Sequence, residues 1–274
     1  MAIGRRVVLK TILATGFGGV TGAGAYGYLY ERHDLGVTRL DLPVVGLPPA
    51  LSGFRIGFLT DVHRSRWVSH DDVIHAVAVM MGEQPDLIVL GGDYVTWGDR
   101  QYVGPSADAL APLSAPLGVY GILGNHDDDH DMPAALAARG VHMLKDARTT
   151  ITIRGEPVDL VGIRFWTKRA SDIATLVRGA TGTVFLLAHD PRRLTEAAAL
   201  NIPLVLSGHT HGGQVVLPGI GALAKQNFPV LWGIGRRERT TMFVSRGVGT
   251  VYVPVRVNCP PEVAVLTLKS ESRA

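Results

Sequence analysis

Leu204-Val205-Leu206-Ser207-Gly208-His209-Thr210-His211-Gly212-Gly213-Gln214 is a short apolar run that breaks at once into glycines and two imidazoles two residues apart. A buried strand ending at the rim of a sheet delivers polar side chains in this way. The pattern recurs upstream. An apolar run over 55–60 leads into Asp61-Val62-His63, one over 86–90 into Gly91-Gly92-Asp93, and one over 119–123 into Gly124-Asn125-His126-Asp127. A run over 184–188 leads into His189-Asp190-Pro191, and a further strand is predicted over 158–163. Helical patterns occupy 71–82, 105–113, 132–139, 171–177 and 191–199. After His211 the pattern turns to strands and turns, with candidates at 214–217, 241–245 and 263–268. The chain is therefore α/β (α+β). Its element order suits two facing sheets with helices outside, or a plain α/β sheet.

The hydrophobic share of 46%, against 19% charged residues, fills a sizeable core and excludes a disordered chain. The 274 residues suit one catalytic domain. The formal charge is +3, and Arg5, Arg6 and Lys10, the only charged side chains before Glu31, account for all of that excess. Nucleic acid is thus not an expected partner. Cys259 is the single cysteine, which excludes an intramolecular disulfide and a thiolate metal cluster.

Residues 1–30 read as an address. Arg5-Arg6 precedes Val7-Val8-Leu9-Lys10 and an uncharged, glycine-diluted stretch from Thr11 to Tyr30. This resembles a twin-arginine export signal, read by a machinery that moves folded proteins. Ala23-Gly24-Ala25 offers a cleavage site, whereas Tyr26, Tyr28 and Tyr30 suit a retained membrane anchor. The expected location is membrane-associated or exported, with the catalytic domain outside the cytoplasm. Residues 31–52, with Pro43, Pro48 and Pro49, read as a linker into a catalytic domain over 53–274.

Each polar block alone has a bland reading as a turn or a solvated histidine. Together they place carboxylates, imidazoles and one amide at successive strand ends, with Asp93 able to bridge two ions. In an extended chain, residues two apart share a face, so Asp61 and His63 can converge on one ion, and His209 and His211 add two more imidazoles at the same spacing. His33, His70, His75, His130 and His142 fall in no block. Arg64 and Arg66 follow the first ligand pair and are candidates to bind substrate, or are surface arginines lying along a loop. Trp67, Trp97, Phe165 and Trp166 fall near presumed loops at strand ends, where aromatics contact acyl chains or pack over the sheet edge.

The series D-x-H, G-G-D, G-N-H-D, H and G-H-T-H-G-G-Q resembles the calcineurin-like metallophosphoesterases, from about Arg55 to the end of the chain. Ser245-Arg246-Gly247-Val248-Gly249 and the block from Arg256 to Val263 resemble a membrane-associated bacterial branch likened to UDP-2,3-diacylglucosamine hydrolases. The resemblance implies a four-layer sandwich of two facing mixed β-sheets flanked by helices. It implies that Asp61, His63, Asp93 and His211 hold one divalent ion and Asp93, Asn125, His189 and His209 the other. That ligand set suits manganese, iron and zinc alike. His126 then matches the position that protonates the leaving oxygen, with Asp127 orienting it. Soluble relatives acting on the diacylglucosamine substrate tend to carry arginine where His126 stands, so this chain departs from them. The activity implied is hydrolysis of a phosphodiester or pyrophosphate bond, with a lipid-linked or envelope substrate expected from the branch and the amino-terminal segment.

Overall fold

The computed structural model describes residues 18–19, 21–224 and 227–272. Arg5, Arg6 and Lys10, which carry the export reading, lie outside the described residues. The strands are β1 (Gly36–Val45), β2 (Arg55–Leu59), β3 (Leu87–Leu90), β4 (Val119–Gly121), β5 (Val141–Met143), β6 (Ala147–Ile153) and β7 (Glu156–Gly162). They continue as β8 (Thr183–Leu187), β9 (Leu204–Ser207), β10 (Val216–Leu217), β11 (Gly221–Ala222), β12 (Gly233–Arg237), β13 (Thr240–Val244) and β14 (Glu262–Glu271). One six-stranded sheet runs β1-β14-β2-β3-β4-β5 and the other β12-β13-β9-β8-β7-β6, with β10 and β11 as a separate hairpin. In both sheets the central strands are parallel and antiparallel neighbours enter toward the edges.

The apolar runs are continuous because these strands are covered on both faces. Ile56, Phe58, Leu87, Val89 and Leu266 of the first sheet share one buried cluster with Leu160, Phe185, Leu206 and Phe243 of the second. The rings of Phe58 and Phe243 meet edge to face across that layer, 6.2 Å apart. Alternate residues, such as Leu59, Ile88 and Leu90, face outward onto Val73, Val77 and Met80 of helix α1 (His70–Gly82) and onto α2 (Val103–Leu110). Helix α3 (Asp131–Ala137) completes that outer layer. On the far side, Val161, Leu186 and Val205 pack on α4 (Ala170–Val177) and α5 (Leu194–Ala199). The result is the expected α/β (α+β) four-layer sandwich of two facing mixed sheets flanked by helices. Helix α1 begins at His70 because Ser69 and Asp72 cap it reciprocally, each side chain accepting the other's backbone N–H.

The linker reading of residues 31–52 is corrected. Gly36–Val45 is a ten-residue strand paired in parallel with β14 along its whole length. Pro43 signalled a break, but β1 is an edge strand with a neighbour on one side only, where a proline is tolerated. Just before it, the backbone of Arg256 donates to Gly27 O at 3.3 Å. The buried Glu31 carboxylate accepts the Cys259 N–H at 2.6 Å. The end of the presumed address is thus packed on the catalytic layers. Among the described residues no helix is long and apolar enough to cross a membrane.

Candidate metal centre

The candidate ligands stand where strands β2, β3, β4, β8 and β9 end. They converge through left-handed turns, not through the extended chain the two-residue spacing suggested. Asp61, His63, Asp93, His209 and His211 all have positive φ, between 49 and 73°. Such a residue swings the chain off the strand end and costs about 1–3 kcal/mol unless its surroundings hold it. Here the surroundings do so. Asp61 accepts the His209 N–H at 3.0 Å and the Thr60 hydroxyl at 2.8 Å. The backbone N–H groups of Val248 and Gly249 donate to Thr60 O and Asp61 O. That approach explains the Ser245–Gly249 block, because a Cβ on Gly247 would sit 2.5 Å from Asp61 Cβ. On the other side, a Cβ on Gly124 would fall 2.0 Å from Asp93 Oδ1, so the G-N-H-D turn can close on Asp93 only with glycine there.

Two groups of donor atoms result, Asp61 with His63 and His211, and Asp93 with His189 and His209, each within 4.8 Å of one another. Asp93 Oδ2 lies 3.5 Å from His63 Nε2 and 3.1 Å from His189 Nε2, between the two groups, which is the place of a bridging carboxylate. His63 Nε2 and His211 Nε2 stand 3.1 Å apart, and Asp61 Oδ1 is 3.3 Å from the latter. Two of the imidazoles are turned by their other nitrogen: His189 Nδ1–H donates to Gly91 O at 2.7 Å, and His63 Nδ1 meets Thr96 Oγ1 at 3.2 Å. Asn125 Oδ1 is a buried acceptor without a hydrogen-bond partner among the described residues. Buried polar atoms of that kind are costly unless something binds them.

The electrostatics make the same demand. Burial raises the Asp61 carboxyl to about 6. It lowers His63 to about 3 and His209 to about 4, and drives His211 well below the ordinary imidazole value. His189 moves the other way, to about 10: burial opposes its charge, but Asp93 and Asp61 outweigh it. Burial likewise opposes the Asp93 charge, yet His189 holds that carboxylate well below its usual range. Two buried carboxylates draw positive charge inward, as divalent ions would supply it. The donor set therefore fits two divalent ions, one at Asp61, His63 and His211 and the other at Asp93, His189 and His209, with Asn125 Oδ1 a further buried acceptor.

His126 stands beside the cluster, its ring 5.0 Å from that of His63 and its N–H donating to Asp93 Oδ1 at 2.8 Å. Its Nδ1 accepts the backbone N–H of Trp97 at 3.0 Å. A nitrogen that accepts carries no proton, so the ring is neutral with its proton on Nε2, and burial lowers its pKa further. Asp127 is corrected: it does not orient His126. Its carboxylate accepts backbone N–H groups of Asp93 and Tyr94 at 2.7 Å and of Gly124 at 2.9 Å, clamping the two ligand loops together. Asp127→Ala strands these amides, together with that of Val95 at 3.4 Å, and should cost about 2–4 kcal/mol. We expect Tm to fall by about 5–15 °C, with metal content falling too. Calorimetry and metal analysis check this, and wild-type values for both would return Asp127 to an orienting role.

Arg64 is also corrected. Its guanidinium donates to the carbonyls of Ser65 and Val68 and lies over the Tyr102 ring, which leaves it structural. Arg66 is exposed and lies over Trp67, at the edge of a neighbouring groove and not at the ions. Of the aromatics, Phe165 packs 5.2 Å from the His209 ring, while Trp67, Trp97 and Trp166 are exposed. A cleft of about 280 Å³ opens on Asp93, His126 and His209, and its opposite wall is Val215, Leu223, Ala224, Phe228 and Val251. The reading of the sequence missed that wall, since 215–230 has no periodicity to mark it. It also missed Gln214, which the G-G-Q ending displayed.

Residues 54–213 match the family described as Calcineurin-like phosphoesterase. The chain is 29% identical to the metallophosphoesterase YkuE of Bacillus subtilis, over 97% of this chain and 98% of that one. It is 31% identical to the phosphodiesterase YaeI of Escherichia coli, over 78% and 82%. A protein of Danio rerio named as a transmembrane protein with a metallophosphoesterase domain is 29% identical over 89% of this chain and 60% of its own length. With the ligand blocks complete and the donor atoms converging, the chain belongs to the calcineurin-like phosphoesterases and is a metal-dependent hydrolase of phosphate esters.

Proposed function

We propose that this phosphoesterase cleaves phosphodiester or pyrophosphate bonds of a lipid-linked or envelope substrate, working from a membrane-associated position outside the cytoplasm. The observation that carries the reading is the apolar wall of the cleft facing Asp93, His126 and His209. Among the described residues the cleft lining holds no lysine or arginine, which a cleft for free nucleotides or other polyanions would place there. At about 280 Å³ it is near the lower bound of small-molecule pockets, roughly 300–1,000 Å³, and suits the start of an apolar chain that continues along the surface. The Escherichia coli relative named a phosphodiesterase supports the bond type, and the Danio rerio relative named a transmembrane protein supports the attachment. Arg5-Arg6 supports delivery by the twin-arginine export machinery.

Two divalent ions in this ligand set would neutralise the phosphate oxygens and make water nucleophilic near neutral pH. The chain's own part is positional. Asp93 holds the His126 backbone, Trp97 N–H sets the His126 tautomer, and the Nε2–H is offered to the departing oxygen. The sequence suggested full protonation of that oxygen; the neutral ring supplies a hydrogen bond.

The test compares full-length, metal-loaded protein on lipid-linked diphosphates in detergent micelles, on soluble nucleotides and on simple monoesters, at matched phosphate concentration. We expect kcat/KM to favour the lipid-linked compound at least tenfold. A preference for monoesters or soluble nucleotides would overturn the substrate class and leave the metal centre standing.

A further inference from the structure

Trp97 and Tyr252 are bulky aromatic residues with left-handed backbones, φ 56 and 62°. Such residues seldom adopt that conformation, and where they do the surroundings impose it. Burial is no explanation here, since the side chains are 65% and 73% exposed. The two residues follow different strands, β3 and β13, yet their rings meet 5.3 Å apart and stand 4.5 and 6.4 Å from the His126 ring. The segment carrying Tyr252 is held by Gln214. Its amide nitrogen donates to Val251 O at 3.1 Å and Val253 O at 2.7 Å, and its oxygen accepts the Val251 N–H at 3.0 Å. Tyr252 and Val253 therefore form a fixed partition between the apolar cleft and a second groove.

That second groove has a volume of about 590 Å³ and a different chemistry. Trp67, Trp97 and Tyr252 line it with aromatic rings, while Arg66, Asp99, Gln101 and Thr96 supply polar groups. Asp99 already takes the Gln101 backbone and amide, at 3.2 and 2.8 Å, so the polar edge is ordered. A carboxylate accepts hydrogen bonds only and retains room for hydroxyl donors. Flat aromatic faces beside such a group suit a ring with an apolar face and a hydroxyl-bearing edge.

We infer that the groove over Trp97 and Tyr252 receives the leaving group of a phosphodiester, and that this group carries a sugar ring. The inference rests on the phosphoesterase reading with His126 on the leaving side. Hydrolysis joins the oxygen of water to phosphorus and breaks the bond to the leaving oxygen. That oxygen gains the proton that water gives up, and a sugar alcohol departs through the groove. The apolar half of the same diester lies across the partition.

The experiment uses full-length, metal-loaded protein and three soluble diesters sharing a hexyl phosphate half, with glucose joined through its 6-hydroxyl, uridine joined through its 5′-hydroxyl, or hydroxyethanol as the other alcohol. We expect kcat/KM for the glucose diester to exceed that for the hydroxyethyl diester about tenfold, with uridine well below glucose. Trp97→Ala and Tyr252→Ala should each erase most of that tenfold ratio, and Trp97→Phe should restore it. A uridine diester equal to or better than glucose overturns the sugar assignment. Equal rates on all three, or a ratio unmoved in both alanine variants, overturn the groove's role while leaving the phosphoesterase reading intact. Failure of the wild-type protein to hydrolyse any of the three overturns the phosphodiester assignment, and the groove's role with it.

Discussion

Asp93→Asn should leave the protein folded but without its two ions, and kcat/KM on a simple diester such as bis(p-nitrophenyl) phosphate should fall by about 10³-fold or more. Asp93 lies 3.5 Å from His63 and 3.1 Å from His189 and so reaches both histidine groups, its contact with His189 being shorter than the 3.8 Å of Asp61. It is ionised well below the usual range because His189 holds it so. An asparagine keeps an oxygen for the His126 N–H but removes the charge that attracts a bridging pair of cations. Several kcal/mol of transition-state stabilisation depend on those cations, and each 1.36 kcal/mol is a factor of ten in rate. Metal analysis beside the assay decides the matter: a variant that retains both ions and full activity removes Asp93 from the bridge.

His126→Ala should lower kcat by about 10²- to 10³-fold with both ions retained, the range seen when one hydrogen-bond donor to a developing oxyanion is removed. The tautomer gives this prediction a second arm. With Nδ1 accepting from Trp97, the ring acts as a neutral Nε2–H donor. His126→Gln places a neutral N–H at similar reach and should recover part of the loss, whereas an imidazolium acid would not be replaced by an amide. If alanine and glutamine variants are equally slow, the neutral-donor reading fails; if the alanine variant is as fast as wild type, His126 has no role on the leaving oxygen.

Prolines and charges misled where their meaning depends on neighbours. Pro43 breaks a central strand and sits quietly in an edge one, so β1 could be recognised only once its single partner β14 was known. Arg64 follows D-x-H and had the position of a substrate ligand, but the turn directs it onto the carbonyls of Ser65 and Val68. Asp127 adjoins His126 in the chain, yet neighbouring residues do not face each other in a turn, and its oxygens serve the amides of Asp93, Tyr94 and Gly124 instead.

By itself the sequence marked the buried strands and the candidate ligands at their ends, while the four layers came only with the family resemblance. Apolar runs long enough to be covered on both faces announce buried strands, and carboxylates, imidazoles and an amide at their ends have few uses apart from holding cations. Those are properties of residues and their near neighbours, and spacing records them. Tertiary structure alone decided which ligands face each other, that Trp97 sets the His126 proton, and that Val215, Phe228 and Val251 make the cleft apolar. Each of these joins segments tens of residues apart, at distances of a few ångströms. Such a relation depends on how the two sheets and their loops come together, and no local pattern in the chain encodes it.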